Sequence, residues 1–259
     1  MPRLSVTIIT RDEAHNLARA LESVAWADDI VVVDSGSTDD TVAIARRYTD
    51  RVFVREWLGY GAQKNHAATL TRHDWILSLD ADERVTPELA AEIQALVDAG
   101  PTAKGYRVPR VTWYLGRWIR STDWYPDYQL RLYDRRAGRW LEPRVHESVH
   151  LDDGRPGVLA HDLEHHTYRN IAHHVETIQK YTDLAARQMF DDGRRVGLVQ
   201  LACHPPLAFA RNYALRAGFK DGVPGLIVST MNAYYVFLKL AKLWALRHAS
   251  PDGESGAAG

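Results

Sequence analysis

Trp75-Ile76-Leu77-Ser78-Leu79-Asp80-Ala81-Asp82-Glu83 is an apolar run that ends in carboxylates spaced one residue apart. A short apolar run closed by a turn signal reads as a strand buried on both faces, the kind found in parallel sheets covered by helices. The acids at its end suit hard cations: magnesium and manganese take oxygen ligands, commonly one or two carboxylates plus phosphate oxygens of a substrate. Asp80 and Asp82 meet that need. The competing reading is an Asp-rich turn leading into the helix that Pro87-Glu88-Leu89 begins.

Upstream of this run, strand and helix signals alternate. Leu4 to Thr10 is rich in β-branched residues, a helical pattern covers about 13 to 24, and Asp29 to Val33 is a second strand. In Asp34-Ser35-Gly36-Ser37-Thr38-Asp39-Asp40 the glycine marks a turn, and Ser or Thr can cap the helix from Thr41 to Tyr48. A short strand at 51 to 54 and a helix near 62 to 70 complete the series. This alternation predicts an α/β fold, a doubly wound and mostly parallel sheet with a Rossmann-like nucleotide-binding half. Sheets of that kind bind ligands beyond the carboxyl ends of their strands, so the loops after Thr10, Val33 and Leu79 should share one crevice.

Downstream the character changes. From Tyr106 to His150 the chain is aromatic and basic, with Trp113, Trp118, Trp124 and Trp140 among arginines and breaks at Pro109, Pro126 and Pro143, which reads as an antiparallel, loop-rich segment. Beyond His161, Ile171, Val175, Ile178, Ala185 and Met189 fall near helical spacing. The expected organisation is a catalytic domain over 1–165, divided into halves 4–100 and 101–165, a helical extension over 166–249, and a disordered tail over 250–259.

A formal net charge of -1 offers no global basis for nucleic-acid binding. The one cysteine, Cys203, cannot form an internal disulfide, and Met1-Pro2-Arg3-Leu4 runs straight into a strand pattern without a secretory signal, so a cytoplasmic setting is expected. The longest charge-free run, Gly222 to Leu238, has 17 residues, short of the ~20 that span a bilayer.

Ser5-Val6-Thr7-Ile8-Ile9-Thr10, Val31-Val32-Val33-Asp34-Ser35-Gly36-Ser37-Thr38-Asp39 and Leu79-Asp80-Ala81-Asp82-Glu83 stand in the order and spacing of family 2 glycosyltransferases, which the chain resembles over about residues 4 to 100. The resemblance implies a GT-A fold and a nucleotide-sugar donor, of UDP or ADP type, bound with Mg2+ or Mn2+. It places Asp34 at the base or ribose, Asp80 at the ribose, and Asp82 on the metal that holds the diphosphate. Thr10, Asp12 and Glu13 follow the first strand, where the family lines the base; acids in a first helical turn are the alternative for the latter two. Lys64, in Gln63-Lys64-Asn65-His66, stands where a cation can offset phosphate charge, or is a solvated helix residue.

The second half resembles a narrower group, bacterial lipopolysaccharide core glucosyltransferases that add glucose to heptose. The motifs are Asp127-Tyr128-Gln129-Leu130-Arg131-Leu132-Tyr133, Arg139-Trp140, Val145-His146-Glu147, His165-His166-Thr167-Tyr168, and Gly218-Phe219-Lys220-Asp221-Gly222 with Gly225. A glycolipid acceptor and inverting transfer are implied. Such transfer needs a carboxylate to take the proton of the acceptor hydroxyl. Glu147 occupies the position of the family's base and Asp127 is the second candidate; a salt bridge from Glu147 to Arg144 is the bland alternative. His165, with His166 as its rival, is the candidate to complete the metal shell, whereas His173 and His174 open a helix. Arg131 alternates with Leu130 and Leu132, so it should face the site and contact the diphosphate bidentately. Zinc-site spacings are absent. A nucleotidyltransferase would open with a Gly-rich loop, which does not follow Thr10, and a non-catalytic binding module has no need of all these acids.

Between Pro205 and His248 the cations Arg211, Arg216, Lys220, Lys239, Lys242 and Arg247 face one acid, Asp221, among many aromatics. Basic amphipathic helices suit an anionic membrane surface, so peripheral association with the inner membrane is expected. The alternative is a helix that packs on the protein through Tyr235, Leu238 and Leu246.

Overall fold

The computed structural model describes residues 3–141 and 148–248. The chain divides into two compact units, Met1–Trp113 with Tyr125–Thr167 and Tyr114–Trp124 with Tyr168–Gly259. The expected tail over 250–259 lies outside the described residues.

The first unit opens with β1 (Leu4–Thr10), α1 (Leu17–Ser23), β2 (Asp29–Asp34), α2 (Thr41–Ala45), β3 (Val52–Val54), α3 (Tyr60–Thr69) and β4 (Trp75–Asp80). It continues through β5 (Glu83–Val85), α4 (Pro87–Ala99) and β6 (Gly105–Tyr114). After β7 (Arg117–Ile119), which belongs to the second unit, the first unit resumes with β8 (Asp127–Asp134), β9 (Gly138–Trp140), β10 (Val149–Leu151), β11 (Gly157–Val158) and β12 (Leu163–His165). The main sheet runs β3-β2-β1-β4-β8-β6-β12-β5. Its first four strands are parallel, β8 joins β4 antiparallel, and the rest is mixed.

Alternation along the parallel strands accounts for the helices on both faces. Val6, Ile8, Val32, Leu77 and Leu79 pack with Leu17 and Leu21 of α1 and Leu89 and Ile93 of α4. Their neighbours Ile9, Val31 and Val33 point the other way, onto Ala67 of α3. α4 starts where expected: Thr86 Oγ1 accepts from the Leu89 N–H at 3.2 Å, and Pro87 occupies the first turn, where its missing N–H costs nothing.

α1 begins at Leu17 rather than near 13. Asp12 adopts a left-handed φ of 52°, and the N–H groups of Glu13 and Ala14 donate to Thr41 Oγ1 and Asp39 Oδ2. The first N–H groups of a helix have no partner within it, and here the neighbouring loop supplies acceptors for two of those that precede α1.

The second unit holds α5 (Ile171–Asp191), α6 (Leu198–Ala210), a π-helical turn at Arg211–Leu215, a 3-10 turn at Gly218–Asp221 and α7 (Gly222–His248). The glycine-rich motif is structural. A Cβ on Gly225 would collide with the Gly218 carbonyl oxygen, and buried Asp221 accepts from Ser121 Oγ at 2.5 Å and the Arg120 N–H at 3.0 Å. Among the described residues no helix is long and apolar enough to cross a membrane.

Candidate active site

The register of the parallel strands brings the sequence motifs to one edge. Thr10 pairs with Asp34 and Ile9 with Asp80, so the carboxyl ends of β1, β2 and β4 lie level. Thr10 and Asp34 are buried there. Asp34 shapes its own loop: Oδ2 accepts from the N–H groups of Gly36 and Ser37, each at 2.8 Å, and Oδ1 from the Ser37 hydroxyl. The next loop is tied in, because Asp12 Oδ1 accepts from the Thr38 N–H at 2.7 Å and Ser37 Oγ accepts from the Asp12 N–H at 2.8 Å. Glu13 Oε2 accepts from Asn16 Nδ2 at 3.0 Å.

Behind this edge runs a chain of alternating charges. Lys64 Nζ sits 2.9 Å from Asp80 Oδ1, and Arg131 Nη2 donates at 2.5 Å to both Asp80 Oδ2 and Glu83 Oε1. Glu83 Oε1 also accepts from Arg110 Nη1 at 2.9 Å, while Arg110 Nε and Nη2 reach Asp127 Oδ2 at 2.9 and 2.6 Å. Asp127 Oδ1 accepts from Gln129 at 2.7 Å. Lys64 and Arg131 are buried, and both lie over the Trp140 ring, Lys64 at 4.2 Å. Lys64 is therefore no solvated helix residue. Buried ions need this pairing because each loses its hydration.

Glu83 is the keystone: it is fully buried, and its Oε2 accepts from the Asp80 N–H at 3.1 Å, so the turn carrying Asp80 and Asp82 hangs on it. Burial raises the Asp80 carboxyl, yet Arg131 and Lys64 outweigh it and hold the group well below the usual carboxylate range.

Asp82 turns to a different partner. His165 Nε2 lies 3.2 Å from Asp82 Oδ2, because β12 pairs with β5 and sets His165 opposite Glu83. That spacing is close to the ~3 Å between adjacent ligand atoms around a divalent ion with bonds of about 2.1 Å. Asp82 and His165 bond each other directly at this distance, and they are the two side chains here that could hold a divalent cation. Asp80 pairs with Lys64 through Oδ1 and with Arg131 through Oδ2, and among the described residues no three His, Cys, Asp or Glu groups converge. An ion held by two protein ligands takes its remaining ligands from substrate phosphates and water.

The backbone N–H of His166 donates to the Asp82 carbonyl, and its ring lies 3.5 Å from Glu164. Burial first, then Arg84 and His165, push its imidazole down to about 4. His174 is buried in the second unit, where its Nδ1 lies 2.9 Å from the Tyr114 hydroxyl. Glu147 and Arg144 lie outside the described residues.

Glu83, Arg110 and Trp140 contribute to the site although the sequence pattern assigned them no role in it. Glu83 is the third acid of Asp80-Ala81-Asp82-Glu83, and Arg110 stands between Pro109 and Val111 as Arg131 stands between its leucines. Trp140 is tied to α3 by reciprocal bonds at 2.9 Å, Asn65 Nδ2 to its carbonyl and its N–H to Asn65 Oδ1.

Comparison with known proteins agrees with this geometry. The profile for glycosyl transferase family 2 matches residues 5–150. The chain is 32% identical, over 95% of its length and 93% of the relative's, to the lipopolysaccharide core biosynthesis glycosyltransferase LpsC of Rhizobium meliloti. It is 31% identical to a glycosyltransferase of Rickettsia felis, covering 94% of this chain and 90% of that one. Among solved structures, the mannosyltransferase PcManGT of Pyrobaculum calidifontis, in complex with GDP-Man and Mn2+, superposes with a TM-score of 0.55 at 18% identity, covering 94% of this chain and 87% of that one. The architecture is the GT-A fold with a helical C-terminal region.

Proposed function

The chain belongs to glycosyl transferase family 2, and from that premise we propose that it transfers a hexose, glucose by preference, from a UDP- or ADP-sugar to a heptose of the lipopolysaccharide inner core, with inversion. The observation that carries the reading is the paired arrangement at the ends of β4 and β12, with Asp80 clamped by Lys64 and Arg131 and Asp82 facing His165. The full-length likeness to a lipopolysaccharide core enzyme supports the acceptor class.

In this reading Asp82 and His165 hold Mg2+ or Mn2+, which when bound supplies Lewis-acid stabilisation to a diphosphate leaving group. Asp80, ionised by its two cations, accepts from a ribose hydroxyl. Asp34 and the Asp12–Thr38 contact shape the wall for the base and ribose. The base removes the acceptor hydroxyl proton as that oxygen bonds to the anomeric carbon, and the bond from that carbon to the diphosphate breaks on the opposite face. Glu147 is assigned this role. Its rival Asp127 already accepts from Arg110 and Gln129 through both oxygens. The acceptor is a lipid, so the enzyme works at the membrane surface.

The test is transfer from a panel of UDP-, ADP-, GDP- and CMP-sugars, with and without Mn2+, to deacylated core oligosaccharide ending in heptose, the new linkage being read by NMR. A β-linked glucose formed only with metal is the expected result. Transfer to another envelope glycan, with heptose inert, would replace the acceptor and leave the enzyme class standing.

A further inference from the structure

No residue of α6 is buried, and between Leu198 and Ala210 the helix carries no Asp, Glu, Lys or Arg. Leu198, Val199, Ala202, Cys203, Pro206 and Leu207 are exposed, at the spacing that puts them on one helical face. Beyond the helix the apolar surface continues in Leu215 and Phe219, and Leu198, Leu207 and Leu215 expose 81%, 64% and 82% of their area. Water-facing stripes of this length on a helix mark an interaction surface.

Charge identifies the occupant. Arg194 and Arg195 precede the stripe, and Arg211, Arg216 and Lys220 follow it, all exposed, with no acid from residue 193 to 220. One carboxylate, Asp123, answers both Arg211 and Arg216. A second copy laid antiparallel on α6 by a two-fold axis would set cations against cations at both ends. An anionic bilayer instead accepts the apolar side chains below its headgroups and pairs its phosphates with the rim.

Two cations of α7 are spent elsewhere. Lys242 Nζ bonds Asp183 Oδ1 at 2.8 Å and Thr182 Oγ1 at 2.8 Å, and Arg247 donates to the Phe190 carbonyl and lies 4.4 Å over its ring. These contacts fasten α7 to α5 within the second unit.

We propose that α6 and the turns that follow it, through Phe219, form the surface by which this protein seats on an anionic lipid bilayer. The proposal rests on the reading that the acceptor is membrane-borne. Its test uses the chain's single cysteine, Cys203, which is exposed in the middle of the stripe. The full chain, labelled there with an environment-sensitive fluorophore, is mixed with vesicles of phosphatidylglycerol and phosphatidylcholine, and sedimentation is measured in parallel. The expected result is a blue shift with anionic vesicles that is absent with neutral ones, and at least a tenfold loss of partitioning in L207S/L215S, whose exposed sites leave folding intact. Sedimentation without a blue shift, or unchanged partitioning of that variant, overturns the assignment of α6 while leaving membrane binding in place. Absence of sedimentation overturns both. A blue shift that grows with protein concentration without vesicles, together with a two-chain mass, gives the face to a second copy and overturns the proposal.

Discussion

Arg131 Nη2 donates to Glu83 Oε1 at 2.5 Å, and both side chains are buried. The same nitrogen donates to Asp80. One guanidinium therefore ties the floor of the site to the turn that carries the ligand acids, and the turn's position depends on an acid that touches neither donor nor metal in the reading above.

Glu83→Gln leaves Arg110 and Arg131 with less compensation in a buried setting. Removing one partner of a buried ion pair costs about 3–5 kcal/mol, and the neutral isostere should cost toward the low end. Urea unfolding is expected to show that loss, and calorimetry a weaker metal-dependent donor affinity. Unchanged stability would mean the ion chain is not the support that its geometry suggests.

Asp82→Ala should abolish metal-dependent donor binding and leave the fold intact, since Asp82 faces His165 and supports no strand. His165→Ala should raise the Mn2+ concentration for half-maximal activity by about tenfold or more, because even groups behind metal ligands cost that much. Equal Mn2+ requirements in wild type and His165→Ala would remove the histidine from the metal shell.

Glu147→Gln should keep donor affinity and lose transfer by roughly 10²–10⁴-fold, as removal of a general base does. Asp127→Asn is expected to lose less, its carboxylate being held by Arg110 and Gln129. A dead Asp127→Asn beside an active Glu147→Gln reverses the assignment.

Stability should fall on mild acidification. Burial first, then His173, push the His174 imidazole down to about 4 from its ordinary 6.5. The unfolded chain then binds a proton that the folded chain refuses, so the stabilisation is complete above pH 6.5 and is lost as the pH falls toward 4. The slope is up to about 1.4 kcal/mol per pH unit. Thermal unfolding across that range should show it, and His174→Phe, which keeps a ring beside Tyr114 and Tyr168, should reduce the slope but not abolish it, because His166 is also pushed down to about 4.

The sequence by itself determined the parallel half of the sheet and the edge where its acids gather. Alternation of Ile8 with Ile9 and of Val32 with Val33, the Gly36 turn and the Thr86 cap are local signals, each legible within a few residues. The acids at strand ends follow from topology, because parallel strands put all their carboxyl ends on one side. Only the tertiary structure decided how those acids are paired. Glu83, Arg110 and Arg131 lie on β5, β6 and β8, and their bonds exist because β8, β6, β12 and β5 lie in that order, which no spacing along the chain encodes. For the same reason the basic C-terminal residues divided: Lys242 and Arg247 went to α5, and the exposed apolar face fell to α6. A charge pairs with whatever the fold brings within reach, and reach across the sheet or between helices is a property of packing, not of sequence distance.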